Sequence, residues 1–150
     1  MEKAIFGAGC FWGVEEAFRT LPGVTATRAG YTGGLAQHPT YAQVCAGVTG
    51  HTEAVEVTYD PARVTYDELL CVFWETHDPT RQQKTQYASV IFFVTRTQKD
   101  AAEAAKAALE ASGTYRGNVE TAILPARPFW PAEGYHQQYY KKHGGGACPI

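Results

Sequence analysis

Methionine is almost missing from this chain: Met1 is the only one among 150 residues. Long apolar runs are missing as well. No stretch reaches the roughly 18 consecutive apolar residues that a membrane-spanning helix needs. Neither sign of charge prevails, with 13 Lys and Arg against 15 Asp and Glu and a net charge of -2. Such a balance builds no field that would draw in nucleic acid or an anionic lipid surface. The opening "MEKAIFGAGC" lacks the charged-then-apolar pattern and small-residue cleavage site of a leader, so a cytoplasmic location is the expectation. The four cysteines, at 10, 45, 71 and 148, form no C-x-x-C or zinc-knuckle spacing, and the five histidines form no H-x-x-x-H. No metal site is therefore expected, and scattered cysteines in a reducing compartment are expected as free thiols. Repeats, low-complexity tracts and linkers are also absent. One domain over residues 1–150 is expected, with a glycine-rich tail from about residue 144.

Aromatic residues are abundant, at 13%, which suits an aromatic-lined pocket or a heavy core. The order of elements follows from periodicity and punctuation. "KAIFGA" at 3–8 reads as a strand. Val14, Ala17, Phe18 and Leu21 then fall at helical spacing until Pro22-Gly23 ends the helix. Residues 24–31 read as a strand, residues 32–51 as loop, and "EAVEVTY" at 53–59 as an alternating strand. Thr65 and Glu68 form a capping box at the head of a helix that "HDPT" closes. "ASVIFFV" at 88–94 suits a central strand buried on both faces. Thr97 is expected to cap an alanine-rich helix ending near Gly113. "NVETAIL" reads as a further strand, and "PAEGYHQQYYKKH" as a short helix. This succession predicts an α/β sandwich with a mixed sheet.

A few residues stand out chemically. Cys10 falls where a strand gives way to a helix, a place where backbone N–H groups and the helix dipole favour a thiolate. Glu15 and Glu16 are read as first-turn acids that oppose this effect, and a buried structural cysteine is the alternative. Phe11 and Trp12 supply an apolar wall or plain core. Alternation puts Glu53 on the face of Val55, Val57 and Tyr59. Burial there would raise its pKa and make it a proton donor, whereas a place at the strand's wet end would leave it ordinary. Tyr31 and Tyr87 could aim phenols into a pocket or pack at its edge. Cys148, in the tail, could attack an oxidised partner or be inert. Cys45 and Cys71 read as structural, one beside a valine and the other after two leucines on a helix.

Taken together, "GCFWG" at 9–13, "GYTGG" at 30–34, "TGHTEAVEV" at 49–57, "HDPT" at 77–80, "QYASVIF" at 86–92 and "PAEGYHQQYY" at 131–140 resemble the A-type peptide methionine sulfoxide reductases, in the family's order. The resemblance implies an α/β two-layer sandwich around a ferredoxin-like plait. It also implies reduction of methionine S-sulfoxide, free or in proteins. Cys10 would be the nucleophile, Glu53 the proton donor, Tyr31 and Tyr87 hydrogen-bond donors to the sulfoxide oxygen, and Phe11 and Trp12 the seat of the methyl group. Cys10 would end as a sulfenic acid, and Cys148 would resolve it to a disulfide that thioredoxin or another dithiol reduces. No bound cofactor is implied, and a monomer is expected. The single methionine is in keeping with an enzyme that works under oxidants.

The chain departs from the family pattern in places. The segment between "HDPT" and "QYAS" is short, and Gln82 stands where the family has an acid. Ala88 replaces a common arginine, and Gly134 a common aspartate. A non-catalytic binding module for oxidised methionine is therefore a competing reading. So is acyl transfer by a cysteine, which would want a basic partner such as His51.

Overall fold

In a computed structural model of the protein, residues 1–144 are described. The chain runs through β1 (Glu2–Ala8), α1 (Phe11–Arg19), β2 (Val24–Thr32), α2 (Tyr41–Cys45), β3 (Thr52–Tyr59) and α3 (Tyr66–Glu75). It continues through β4 (Ser89–Phe93), α4 (Arg96–Ala111), β5 (Ala122–Pro125), β6 (Trp130–Pro131) and α5 (Tyr139–His143). The strands form one six-stranded sheet in the order β5-β4-β1-β3-β2-β6. β4 and β5 run parallel, joined by the α4 crossover, and every other pair is antiparallel. The expected mixed α/β architecture is what the chain adopts.

Side-chain alternation divides the core between the two faces of the sheet. From β1, Ala4, Phe6 and Ala8 join Val55 and Val57 of β3 and the helix residues Val14, Phe18, Leu69 and Phe73. Ile5, Ala54, Val90 and Phe92 form a smaller cluster with Phe129 and Ala126 packed on it. The ring of Phe6 stacks on Phe18 of α1 at 5.0 Å and meets Phe73 of α3 at 5.3 Å, so one strand residue fixes two helices. Aromatic contacts of this kind hold the last turn of α1 against the sheet.

Local chemistry accounts for the ends of the elements. Thr65 and Glu68 close both halves of a capping box at α3. Gly9, at φ 91°, makes the turn from β1 into α1 that an L side chain would resist. A side chain at Gly30 would overlap the Phe129 ring and the Trp130 carbonyl, and its absence lets β6 lie against β2.

Several expectations are corrected. Thr95, not Thr97, caps α4, because its hydroxyl accepts the Gln98 N–H three residues on. Strand β5 is shorter than "NVETAIL", covering only its last residues and Pro125. The segment 131–143 is not one helix: a strand residue pair, a 3-10 turn at Gly134–His136 and the short α5 share it. The stretch read as loop contains α2, which Thr40 and Gln43 cap reciprocally.

Candidate active site

The site is built where β1 ends, α1 begins and β3 starts. Cys10 is the N-cap residue of α1 and is 9% exposed. The next residue, Phe11, donates its backbone N–H to Glu53 Oε1 at 3.2 Å. One of the helix's unpaired N–H groups is thus spent on a carboxyl carried by the sheet. Glu53 does not sit at a wet strand end: it is 1% exposed. Its other oxygen accepts from Gln86 Nε2 at 2.7 Å. Burial pushes its pKa up to about 7, although both hydrogen bonds pull the other way. At neutral pH a large share of Glu53 is therefore a protonated acid beside the cysteine.

The tyrosines are brought to the same place. Tyr31 lies directly across from Glu53 in the β2–β3 ladder and is wholly buried. Its hydroxyl donates to Glu133 Oε1 at 2.8 Å, and burial followed by this bond raises its pKa. Its one proton is thus engaged with a residue that sequence reasoning did not single out. Tyr87, at the end of a 3-10 turn, is raised by burial, then by the Glu53 and Cys45 charges, against a hydrogen bond with Tyr41. Tyr41, the first residue of α2, is raised by burial and then by a hydrogen bond with Cys45. Glu133 also accepts the Tyr41 N–H, at 3.0 Å. Burial alone would raise its pKa, but the bonds from Tyr41, its own backbone and Tyr31 outweigh that and lower it.

Phe11 is buried, its ring 5.7 Å from Tyr31 and 5.1 Å from His136. Trp12 is half-buried and donates its indole N–H to His136 Nδ1 at 2.9 Å. Tyr139 stacks on its other side with centroids 3.8 Å apart. Both aromatics after the cysteine are held rigidly at the site's edge. A cleft of about 270 Å³ opens beside it between Gly9, Thr76, His77, Arg81 and Tyr87.

Six of the seven residues singled out in the sequence therefore converge: Cys10, Phe11, Trp12, Tyr31, Glu53 and Tyr87. The seventh, Cys148, lies outside the described residues. Glu15 and Glu16 are not first-turn acids. Glu15 is buried, accepting from Thr27 Oγ1 and the Gln138 N–H, and Glu16 pairs with Arg19. His51 is no partner for Cys10. Its Nδ1 accepts from the Gly34 N–H and its Nε2 donates to the Ala36 carbonyl, pinning the loop after β2. Cys71 and Cys45 are both exposed, and Cys45 Sγ accepts from Gln86 Nε2 at 3.2 Å. No cluster of metal ligands occurs among the described residues, and none of their helices is long and apolar enough to cross a membrane. Gln86, Glu133 and His136 lie inside quoted motifs, but nothing in one sequence separates them from packing residues.

Comparison with known proteins agrees with the geometry. The family profile described as peptide methionine sulfoxide reductase matches residues 2–150. The peptide methionine sulfoxide reductase MsrA of Methanoculleus marisnigri is 54% identical over 154 residues, covering 99% of this chain and 94% of that protein. Methionine sulfoxide reductase A of Corynebacterium diphtheriae superposes with a TM-score of 0.84 at 40% identity, over 99% of this chain and 77% of that one. Reduced Mxr1 of Saccharomyces cerevisiae superposes with a TM-score of 0.87 at 31% identity, over 99% and 89%. Mxr1 has also been solved in complex with Trx2, where 23% identity and a TM-score of 0.60 over 99% and 86% speak for the fold.

Proposed function

We propose that this chain, which belongs to the peptide methionine sulfoxide reductase family, reduces methionine S-sulfoxide with Cys10 as nucleophile and Glu53 as proton donor. The observation that carries this reading is the buried Glu53 carboxyl bonded to the Phe11 N–H, one residue from the cysteine. A sulfoxide oxygen leaves poorly unless protonated, so nucleophile and acid must converge on one sulfur. The Cys10 thiolate attacks that sulfur while Glu53 gives its proton to the oxygen. The substrate S–O bond breaks as the protonated oxygen passes to Cys10 Sγ, the transient Sγ–S bond breaks with its electron pair returning to the substrate sulfur, methionine departs, and Cys10 is left as a sulfenic acid. Tyr87 hydrogen-bonds the oxygen during the step, and Tyr31 joins it on leaving Glu133. Phe11 and the clamped Trp12 seat the methyl group.

Cys148 then attacks the sulfenic acid, forming a disulfide and releasing water. A thioredoxin-type dithiol reduces the disulfide, in line with the Mxr1–Trx2 complex. We read β1-α1-β2-β3-α3-β4, with its β4-β1-β3-β2 order, as the ferredoxin-like plait that carries the site. We further take the chain as one domain that acts as a monomer in the cytoplasm.

Acyl transfer lacks its base, since His51 is tied to the loop it pins. The test is reduction of a blocked methionine S-sulfoxide with dithiothreitol, beside the R epimer and Cys10→Ser. S-selective turnover that vanishes in the variant is expected. Tight sulfoxide binding without turnover would replace the enzyme with a binding module.

A further inference from the structure

Gln86 does more than fill the space behind the acid. Its side chain is buried, and the one amide nitrogen serves two acceptors: Glu53 Oε2 at 2.7 Å and Cys45 Sγ at 3.2 Å. An amide nitrogen has two N–H bonds, so both are satisfied. Cys45 reaches this position because the capping box at Thr40 and Gln43 builds α2, with Cys45 at its end. Tyr41, a turn earlier on the same helix, lies close enough to Cys45 for that sulfur, after burial, to raise its pKa. The thiol is therefore a member of the hydrogen-bond chain leading to the acid.

The amide's sense matters. With nitrogen toward Glu53, it favours the carboxylate; turned over, its oxygen would accept a proton from the neutral acid and favour that form. Without an acceptor at position 45, that N–H would have only the water that reaches it past the exposed Cys45 position, and turning the amide over would cost less. We propose that Cys45 is a positioning residue that locks the amide of Gln86 with its nitrogen toward Glu53, and that it takes no part in disulfide exchange. This rests on the reading of Glu53 as proton donor. The titratable groups facing the Glu53 carboxyl are Tyr31 on β2, Tyr41 and Cys45 on α2, and Tyr87 beside Gln86, with Cys10 one residue before the Phe11 N–H that the carboxyl accepts. Of these, Cys45 is hydrogen-bonded to the amide.

The experiment follows the Glu53 carboxyl carbon by NMR as a function of pH, under dithiothreitol, in the wild type, Cys45→Ala, Cys45→Ser and Gln86→Met. Gln86→Met is expected to move the midpoint up by about one pH unit, the worth of one hydrogen bond to a charged group. Cys45→Ala moves it up by a smaller but resolvable amount, and Cys45→Ser, whose hydroxyl also accepts, restores the wild-type midpoint. The basic limb of kcat for S-sulfoxide reduction shifts in the same order, with KM within about twofold. An unmoved midpoint in Cys45→Ala overturns the proposal. So does a Cys45→Ser variant that behaves like Cys45→Ala, or one that loses thioredoxin-driven turnover with its midpoint unmoved. The titration is read whether or not the protein turns over, so a wild type inactive on sulfoxide sinks the proposed function while the midpoints still decide on Cys45.

Discussion

Two carboxylates face the same cluster of aromatic rings, one at the start of β3 and one in the segment after β6. Glu53 has two donors, the Phe11 N–H and the Gln86 amide, and lies deep enough that burial prevails and its pKa rises to about 7. Glu133 is half-buried and has the Tyr41 N–H and the Tyr31 hydroxyl, and here the hydrogen bonds prevail and its pKa falls. The comparison teaches that the number of donors does not decide a carboxyl's role. How much water has been removed sets the penalty that those donors must offset. One region holds a carboxyl whose pKa is raised, as the proposed proton donor needs, and the other a lowered carboxyl that holds a phenol and a helix start in place. Such separation of neighbouring acids is what acid catalysis at neutral pH requires.

The comparison breaks first at activity. Glu53→Gln keeps the shape and removes the proton, and is expected to slow S-sulfoxide reduction by about 10²–10⁴-fold, the usual worth of a general acid. Glu133→Gln keeps one acceptor oxygen and so one of the two bonds from Tyr31 and Tyr41, and should cost about tenfold or less by the same scale. Equal losses, measured side by side with dithiothreitol, would show that the two acids do not differ in role.

The next largest effect is on stability, with opposite signs. Between the ordinary carboxyl value of 4.5 and about 7, folded Glu53 holds a proton that the unfolded chain has released. Its contribution is full below pH 4.5 and is lost as pH rises through about 7, an amount of about 3 kcal/mol. Glu133, lowered in the folded state, contributes above its ordinary value, and that contribution is lost as pH falls. Urea unfolding from pH 4 to 8 should therefore show a flatter decline toward high pH in Glu53→Gln than in the wild type. An unchanged profile would mean that Glu53 titrates normally.

The smallest effect concerns the aromatic wall. His136→Phe removes the acceptor of the Trp12 indole N–H but keeps a ring near Phe11 and Tyr41. KM should rise a few-fold while kcat holds, because a roughly 1 kcal/mol hydrogen bond positions the wall and takes no part in the reaction. A fall in kcat with KM unchanged would place His136 in the chemistry instead.

The sequence by itself determined which residues could matter and on which face each would lie. Alternation placed Glu53 with Val55, Val57 and Tyr59, and all four are buried together. The strand-to-helix junction at Cys10 and the capping box at Thr65 were equally readable, because each follows from interactions within a few residues of chain, and the mixed sheet followed from the order of strands and helices. The T-x-x-Q signal of α2 stands at Thr40 and Gln43, among glycines and a proline whose turn chemistry otherwise points to loop.

What only the tertiary structure decided is the partnering across long chain separations. Tyr31 with Glu133, Trp12 with His136, and Gln86 between Glu53 and Cys45 are contacts that no local pattern encodes. Burial was decided there as well. A glutamate at the first residues of a strand can face water or the core, and the sheet's packing against α1, with the Phe11 amide closing over the carboxyl, takes the water away and raises the Glu53 pKa.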